Sequence, residues 1–205
     1  MYALVENNQI TKLINNPKSL VIGDVNYPAK IFSVWSQSEL NAIGIYEVIT
    51  DLTNKKDEAW YINTNESYAF ADNQVTRSWG SATSKAHADT TWTQQDSDDG
   101  LIPSDKSIGD IKTRGLKYNL IQNIKKQAAG ILKDTDWYVV RKADAGTEVP
   151  SAITTHRAAV RTKCAEMETA ITNASDTPAL ETLYKYTTTD GVQSRPLGEL
   201  PILES

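Results

Sequence analysis

The stretch from Lys112 to Ile171 constrains this chain more than any other. Leu116, Leu120, Ile124, Ala128 and Leu132 follow one another at intervals of four residues. Beyond a polar interruption, Ile153, Val160, Cys164, Met167 and Ile171 are spaced seven, four, three and four. Residues three or four apart share one face of a helix, so each series predicts an amphipathic helix with a single apolar stripe. Lys, Gln, Arg and Thr occupy the opposite faces. An apolar stripe has to be covered, and two such helices joined by a connector cover each other most simply as an antiparallel hairpin. That hairpin is expected over residues 111–186 as a self-contained unit, with the string from Leu132 to Tyr138 at its mouth.

The rest of the chain reads differently. Tyr2–Val5 and Gln9–Ile14 are strand-like runs around Glu6-Asn7-Asn8, a hairpin signal. Residues 17–28 read as loop, and Ile31–Trp35 and Ile45–Ile49 as strands. Between those two strands, Ser36 and Glu39 fit a capping box opening a short helix that Gly44 stops. Ala59–Ile62, Ser67–Phe70 and Gln74–Trp79 are spaced as a three-stranded antiparallel meander. A weak helix is expected over 81–93, and the Asp-, Ser- and Gly-rich stretch over 94–110 reads as linker. Asp176-Thr177-Pro178 caps a short helix through Tyr184. Pro196, Gly198 and Pro201 keep residues 187–205 extended or irregular. The fold class is therefore α+β. A small β-rich domain spans 1–83, a weak helix and linker 84–110, the helical hairpin 111–186 and an extended tail 187–205.

Composition narrows the function. The chain has 205 residues, a net charge of −5 and one cysteine. The mild acidity argues against nucleic acid as the main partner. No apolar run approaches the ~20 residues a membrane helix needs, which predicts no membrane insertion. One cysteine excludes a disulfide framework and a cysteine-based zinc site, and points to a reducing compartment. Asp96 to Gly100 resembles a calcium loop only superficially, because the sixth and twelfth positions hold Leu101 and Ser107 instead of Gly and Glu. Phosphate-binding glycine loops and nucleophile elbows are lacking. His156, near the start of the second helix, reads as a structural residue. Neither catalytic residues nor cofactor or metal ligands are assigned, and the chain is not read as an enzyme.

Asp134 and Asp136 are too close along the chain to face each other as a catalytic pair. Thr135 or Asp136 is expected to end the first helix and capture its free backbone groups, with the Trp137 ring folded over the hairpin core. Arg157 and Arg161 share a helix face. They form either a solvated face or a pairing of one arginine with Asp134 or Asp136.

These residues carry a resemblance. Ile131-Leu132-Lys133-Asp134-Thr135-Asp136-Trp137, followed by His156-Arg157-Ala158-Ala159-Val160-Arg161, resembles the bacteriophage tail assembly chaperone-like domain. Its pattern is a helix ending Leu-x-x-Thr-Asp-Trp and a second opening Tyr-Arg-x-x-Leu-Arg. Here His156 stands for the Tyr and Val160 for the Leu. The likeness covers roughly residues 111–175, with Leu132, Thr135, Asp136, Trp137, Arg157 and Arg161 as its structural motif. Glu39-Leu40-Asn41-Ala42-Ile43-Gly44-Ile45-Tyr46-Glu47-Val48 is similar to a segment of small phage tail-fibre and fibre-assembly proteins. The whole arrangement is similar to tail proteins of marine phages.

The resemblance implies a fibre- or baseplate-associated structural protein of the virion tail, assembled in the host cytoplasm and oligomeric in the particle. Its partners would be other tail proteins. The alternatives are a fibre assembly chaperone not retained in the particle, and a glycan-binding adhesin with Trp60, Trp79 and Trp92 exposed on one face. The apolar residues of the tail, Val192, Leu197, Leu200, Ile202 and Leu203, either pack on their own domain or serve a partner by strand addition.

Overall fold

The computed structural model describes residues 1–203, and the chain is of the expected α+β class. It divides into two compact units, Met1–Thr83 and Ser84–Ser205.

The first unit opens with a hairpin of β1 (Tyr2–Glu6) and β2 (Gln9–Ile14). Asn7 and Asn8 turn it with φ of 52° and 63°, a left-handed pair that asparagine tolerates well. A second hairpin, β3 (Leu20–Ile22) and β4 (Val25–Tyr27), occupies the stretch expected as loop, turning at Gly23-Asp24. The strand expected over Ile31–Trp35 is instead a one-turn helix, α1 (Ile31–Val34). Its amides reach back to Pro28, Ala29 and Lys30 carbonyls. It buries Ile31 and sets Phe32 against Tyr2, with ring centroids 5.0 Å apart. Four apolar residues among the five from Ile31 to Trp35 suit either period, and the Pro28 turn decides between them.

Helix α2 (Gln37–Ala42) carries the expected capping box of Ser36 and Glu39. It stops at Gly44, where φ is 82° and a Cβ would lie 2.6 Å from the Val5 carbonyl oxygen. β5 (Ile45–Thr50) follows. Of the run from Ala59, only β6 (Tyr61–Ile62) is strand. β7 (Ser67–Ala71) and β8 (Gln74–Ser78) form a hairpin over Asp72-Asn73, again with positive φ. The expected meander does not form. The sheet order is β2-β1-β5-β8-β7, and β8 lies parallel to β5.

Alternation along β1 sends Leu4 to one side of this sheet and Ala3 and Val5 to the other. On the first side Ile14, Leu20, Ile31, Leu40 and Ile45 complete the core, so α1, α2 and β3 cover that face. On the second side Val48 and Val75 pack with Ile10, Tyr46, Tyr68 and Phe70. Here the sheet covers itself, because β7 curls back towards β2.

β9 (Thr83–Ser84) straddles the division. The expected helix over 81–93 is absent, and threonine's stiff, branched side chain favours strand. β10 (Thr90–Thr91) thus pairs with a later strand across an ordered loop. That loop, read as linker, contains α3 (Gln94–Asp98), capped by Thr93 and Asp96, and closes through β11 (Ile111–Thr113). Three long helices follow where two were expected: α4 (Leu116–Lys133), α5 (Asp136–Ala145) and α6 (Ser151–Asn173). α4 and α6 pack through the predicted stripes, burying Ile124 and Ala128 against Ile153, Val160, Cys164, Met167 and Ile171. α7 (Thr177–Tyr184) starts at the predicted Asp176 cap. The tail turns as a hairpin, β12 (Thr187–Thr189) and β13 (Val192–Ser194), before running extended. Residues 204 and 205 of the expected tail lie outside the described residues.

The helices do not stand alone. Leu116 and Lys117 amides donate to the Ala86 and His87 carbonyls, and the fully buried Thr177 hydroxyl donates to the Lys85 carbonyl at 2.7 Å. Gly115 passes so close to Ala88 that a Cβ would collide with its carbonyl. Among the described residues no helix is long and apolar enough to cross a membrane.

Candidate functional site

The residues singled out between Leu132 and Arg161 converge on one joint. α4 ends at Lys133 with Asp134 as its C-cap, and α5 begins at Asp136. The last carbonyls of a helix have no partner within it, and here Thr135 supplies one, its amide and hydroxyl both donating to the Leu132 carbonyl at 3.1 and 3.0 Å. Arg157 reaches the same place from α6. Its Nη1 donates to the Leu132 carbonyl and to the Thr135 hydroxyl, both at 2.7 Å, and its Nη2 donates to Asp136 Oδ1 at 2.9 Å. A guanidinium suits this position because its planar fork carries five fixed donors. Three helices are thereby fastened at one point.

Burial within the joint is uneven. Arg157 and Thr135 are 8% and 4% exposed, whereas the Asp136 side chain is 57% exposed. The carboxylate partner is half in water, so its charge adds less than the buried hydrogen bonds do. Of the two readings for the arginines, Arg157 takes the pairing with Asp136, and Arg161 lies on the exposed face of α6.

Trp137 departs from expectation. It is 54% exposed rather than folded over the core. The cause is the helix that was not foreseen. α5 begins at Asp136, and its placement turns the ring outward, beside Tyr138 at 4.7 Å and under the Arg141 guanidinium at 4.4 Å. α5 buries none of its own residues, and Val139 and Val140 are exposed with Trp137. The run Trp-Tyr-Val-Val after Asp136 is the sequence signal for this face.

His156 and Cys164 are both buried on the packing face of α6. Burial, together with the Glu168 carboxylate beside it, pushes the Cys164 thiol up, away from the reactive thiolate. Lys125 ties to the same Glu168 at 3.0 Å, bridging α4 and α6.

The apolar strip of the tail splits in two. Leu197 is buried, and its amide donates to the Leu183 carbonyl at 3.0 Å. Arg195 grips Glu199 through two nitrogens at 2.8 and 2.9 Å beside Tyr184 and Tyr186. Leu200 is half-buried, whereas Val192, Ile202 and Leu203 are exposed. Leu197 therefore belongs to the fold and not to a partner.

The exposed tryptophans that an adhesin would need are not there, since Trp60 and Trp79 are buried and Trp92 is half-buried. Two of them carry a cation over the ring: Lys55 and Arg77 lie over Trp79 and Lys112 over Trp92. Compared with known proteins, the chain matches no family model, no curated protein and no solved structure.

Proposed function

We propose that this protein is a structural component of a bacteriophage tail, associated with its fibre or baseplate, and that it acts through protein–protein contacts. The observation that carries the reading is the joint of α4, α5 and α6. Leu132, Thr135, Asp136 and Arg157 were set apart by their likeness to the tail assembly chaperone-like domain, and all four are bonded together there. One buried arginine joins the two halves of that likeness across 21 residues, which supports the reading. The joint also presents α5 with its apolar residues uncovered, as a contact surface requires.

On this reading the partners are neighbouring tail subunits, the protein is oligomeric in the particle, and it passes from the host cytoplasm into the virion tail. The other reading, a fibre assembly chaperone, shares the same joint and differs in fate. Mass spectrometry of purified virions, from a phage whose genome encodes this chain, separates the two. A fixed copy number per particle supports the structural role. Abundance in the infected lysate with absence from the particle overturns it in favour of the chaperone.

A further inference from the structure

Beside the joint, α5, the turn after it and α6 line an open pocket of about 250 Å³. This falls below the ~300–1,000 Å³ of pockets that hold whole small molecules, and suits a single side chain. Val139 and Val149 supply apolar wall, Lys142, Arg157 and Arg161 supply donors beside the Glu148 carboxylate, and the Thr154 hydroxyl is spent on the Pro150 carbonyl.

The charges around it nearly cancel. Lys142 pairs with Glu148 at 2.6 Å, and Arg157 with Asp136 at 2.9 Å. Among the described residues Arg161 has no carboxylate and no hydrogen-bond acceptor, so one positive charge is left over at the cavity. Arg157 adds capacity, since three of its five N–H donors are engaged by Leu132, Thr135 and Asp136. One uncompensated guanidinium in a pocket that also has two valines in its wall matches one carboxylate on an aliphatic stem. A phosphate monoester carries more charge than the cavity offers, and a net charge of −5 for the chain repels polyanions.

We infer that this cavity receives the carboxylate of an acidic side chain presented by a partner protein, with Arg161 as the primary contact and Val139 and Val149 holding its stem. The inference deepens the function proposed above, by naming the chemistry that a neighbouring tail subunit would present, and it rests on that reading only for the partner's origin.

The test is an NMR titration of the full chain, 15N-labelled, with N-acetyl-glutamate amide. Its neutral isostere N-acetyl-glutamine amide and inorganic phosphate are titrated in parallel. Saturable shifts at Val139, Lys142, Val149 and Arg161 are expected with the carboxylate, at least about tenfold weaker with the isostere and in Arg161→Gln, as the loss of one charge-assisted bond implies. Lys12→Gln, on the other unit, should bind as the wild type does, and unchanged circular dichroism of Arg161→Gln would show that the fold persists. Absence of saturable shifts with the glutamate probe, undiminished binding in Arg161→Gln, or stronger binding of phosphate would each overturn the inference. Virions that contain the protein while the glutamate probe fails would sink the carboxylate site alone. A working site in a protein absent from virions would leave the site standing and remove the structural role.

Discussion

Arg157 is the residue whose loss the second unit should feel most. Removing it leaves the Thr135 hydroxyl without its donor and the Leu132 carbonyl with fewer, both in a place that water enters poorly. Arg157→Ala should cost about 2–3 kcal/mol in chemical denaturation, between the penalty for orphaned buried groups and that for a broken buried ion pair. Asp136→Asn should cost less than about 1 kcal/mol, because the carboxylate is half exposed. If both variants lose the same stability, the ion pair and not the hydrogen-bond hub holds the joint. Trp137 makes the opposite case. With 54% of its surface in water, Trp137→Ala should cost under about 1 kcal/mol. A loss of about 3 kcal/mol, normal for a buried aromatic, would mean that the ring is covered in solution. The sequence named both residues, leaving Arg157 open between a solvated face and a pairing, and placing Trp137 over the core, where it is not. A buried arginine leaves a trace in the text, since it needs polar partners, here Thr135 and Asp136. The direction of a tryptophan depends on where the next helix starts, which its own neighbours do not announce.

At the scale of elements, the legible parts are those fixed by neighbours in sequence. The stripes of α4 and α6, the capping box of α2, the Asp176 cap of α7 and the Asn7-Asn8 turn all declare themselves locally, and all are present. Elements fixed from a distance were misread. α1 is a helix because the Pro28 turn precedes it, β8 runs beside β5 because the sheet curls, and the supposed linker is held by Lys112 on Asp96. That last contact gives a pH prediction. The Lys112 ammonium beside Asp96, with Thr93 donating from its amide and hydroxyl, lowers this carboxyl from its ordinary 3.8 to about 2. A carboxyl lowered on folding stabilises the loop at pH above its unfolded value, and that stabilisation fades as pH falls from about 4 through about 2. Lys112 also lies 4.6 Å over the Trp92 ring, so Trp92 should report the change. Its resonances should titrate with an apparent midpoint near 2. A midpoint near 3.8 would show Asp96 free of Lys112.

For the whole molecule, what counts is how much chain each unit needs. The helices alone, residues 111–186, look sufficient by their stripes, yet the second unit begins at Ser84. Its N-terminal stretch accepts the Leu116 and Lys117 amides and the Thr177 hydroxyl, and Leu197 returns from the tail to bury itself beside Leu183. Truncation after Lys185 removes Leu197, at ~1.5–3 kcal/mol for one buried aliphatic side chain, and also the grip of Arg195 on Glu199. A fragment of residues 84–203 should therefore melt cooperatively, and the same fragment ending at Lys185 should melt at least roughly 6 °C lower, at ~4 °C per kcal/mol lost. Residues 111–186 should be weaker still, because the lost Lys85, Ala86 and His87 carbonyls leave donors at Thr177, Leu116 and Lys117 without their partners. Thermal circular dichroism of the three fragments orders them directly. If residues 111–186 melt at the temperature of residues 84–203, the helices are self-sufficient after all. The tail and the N-terminal stretch would then be passengers on a finished fold, with Leu197 available to a partner alongside Val192, Ile202 and Leu203.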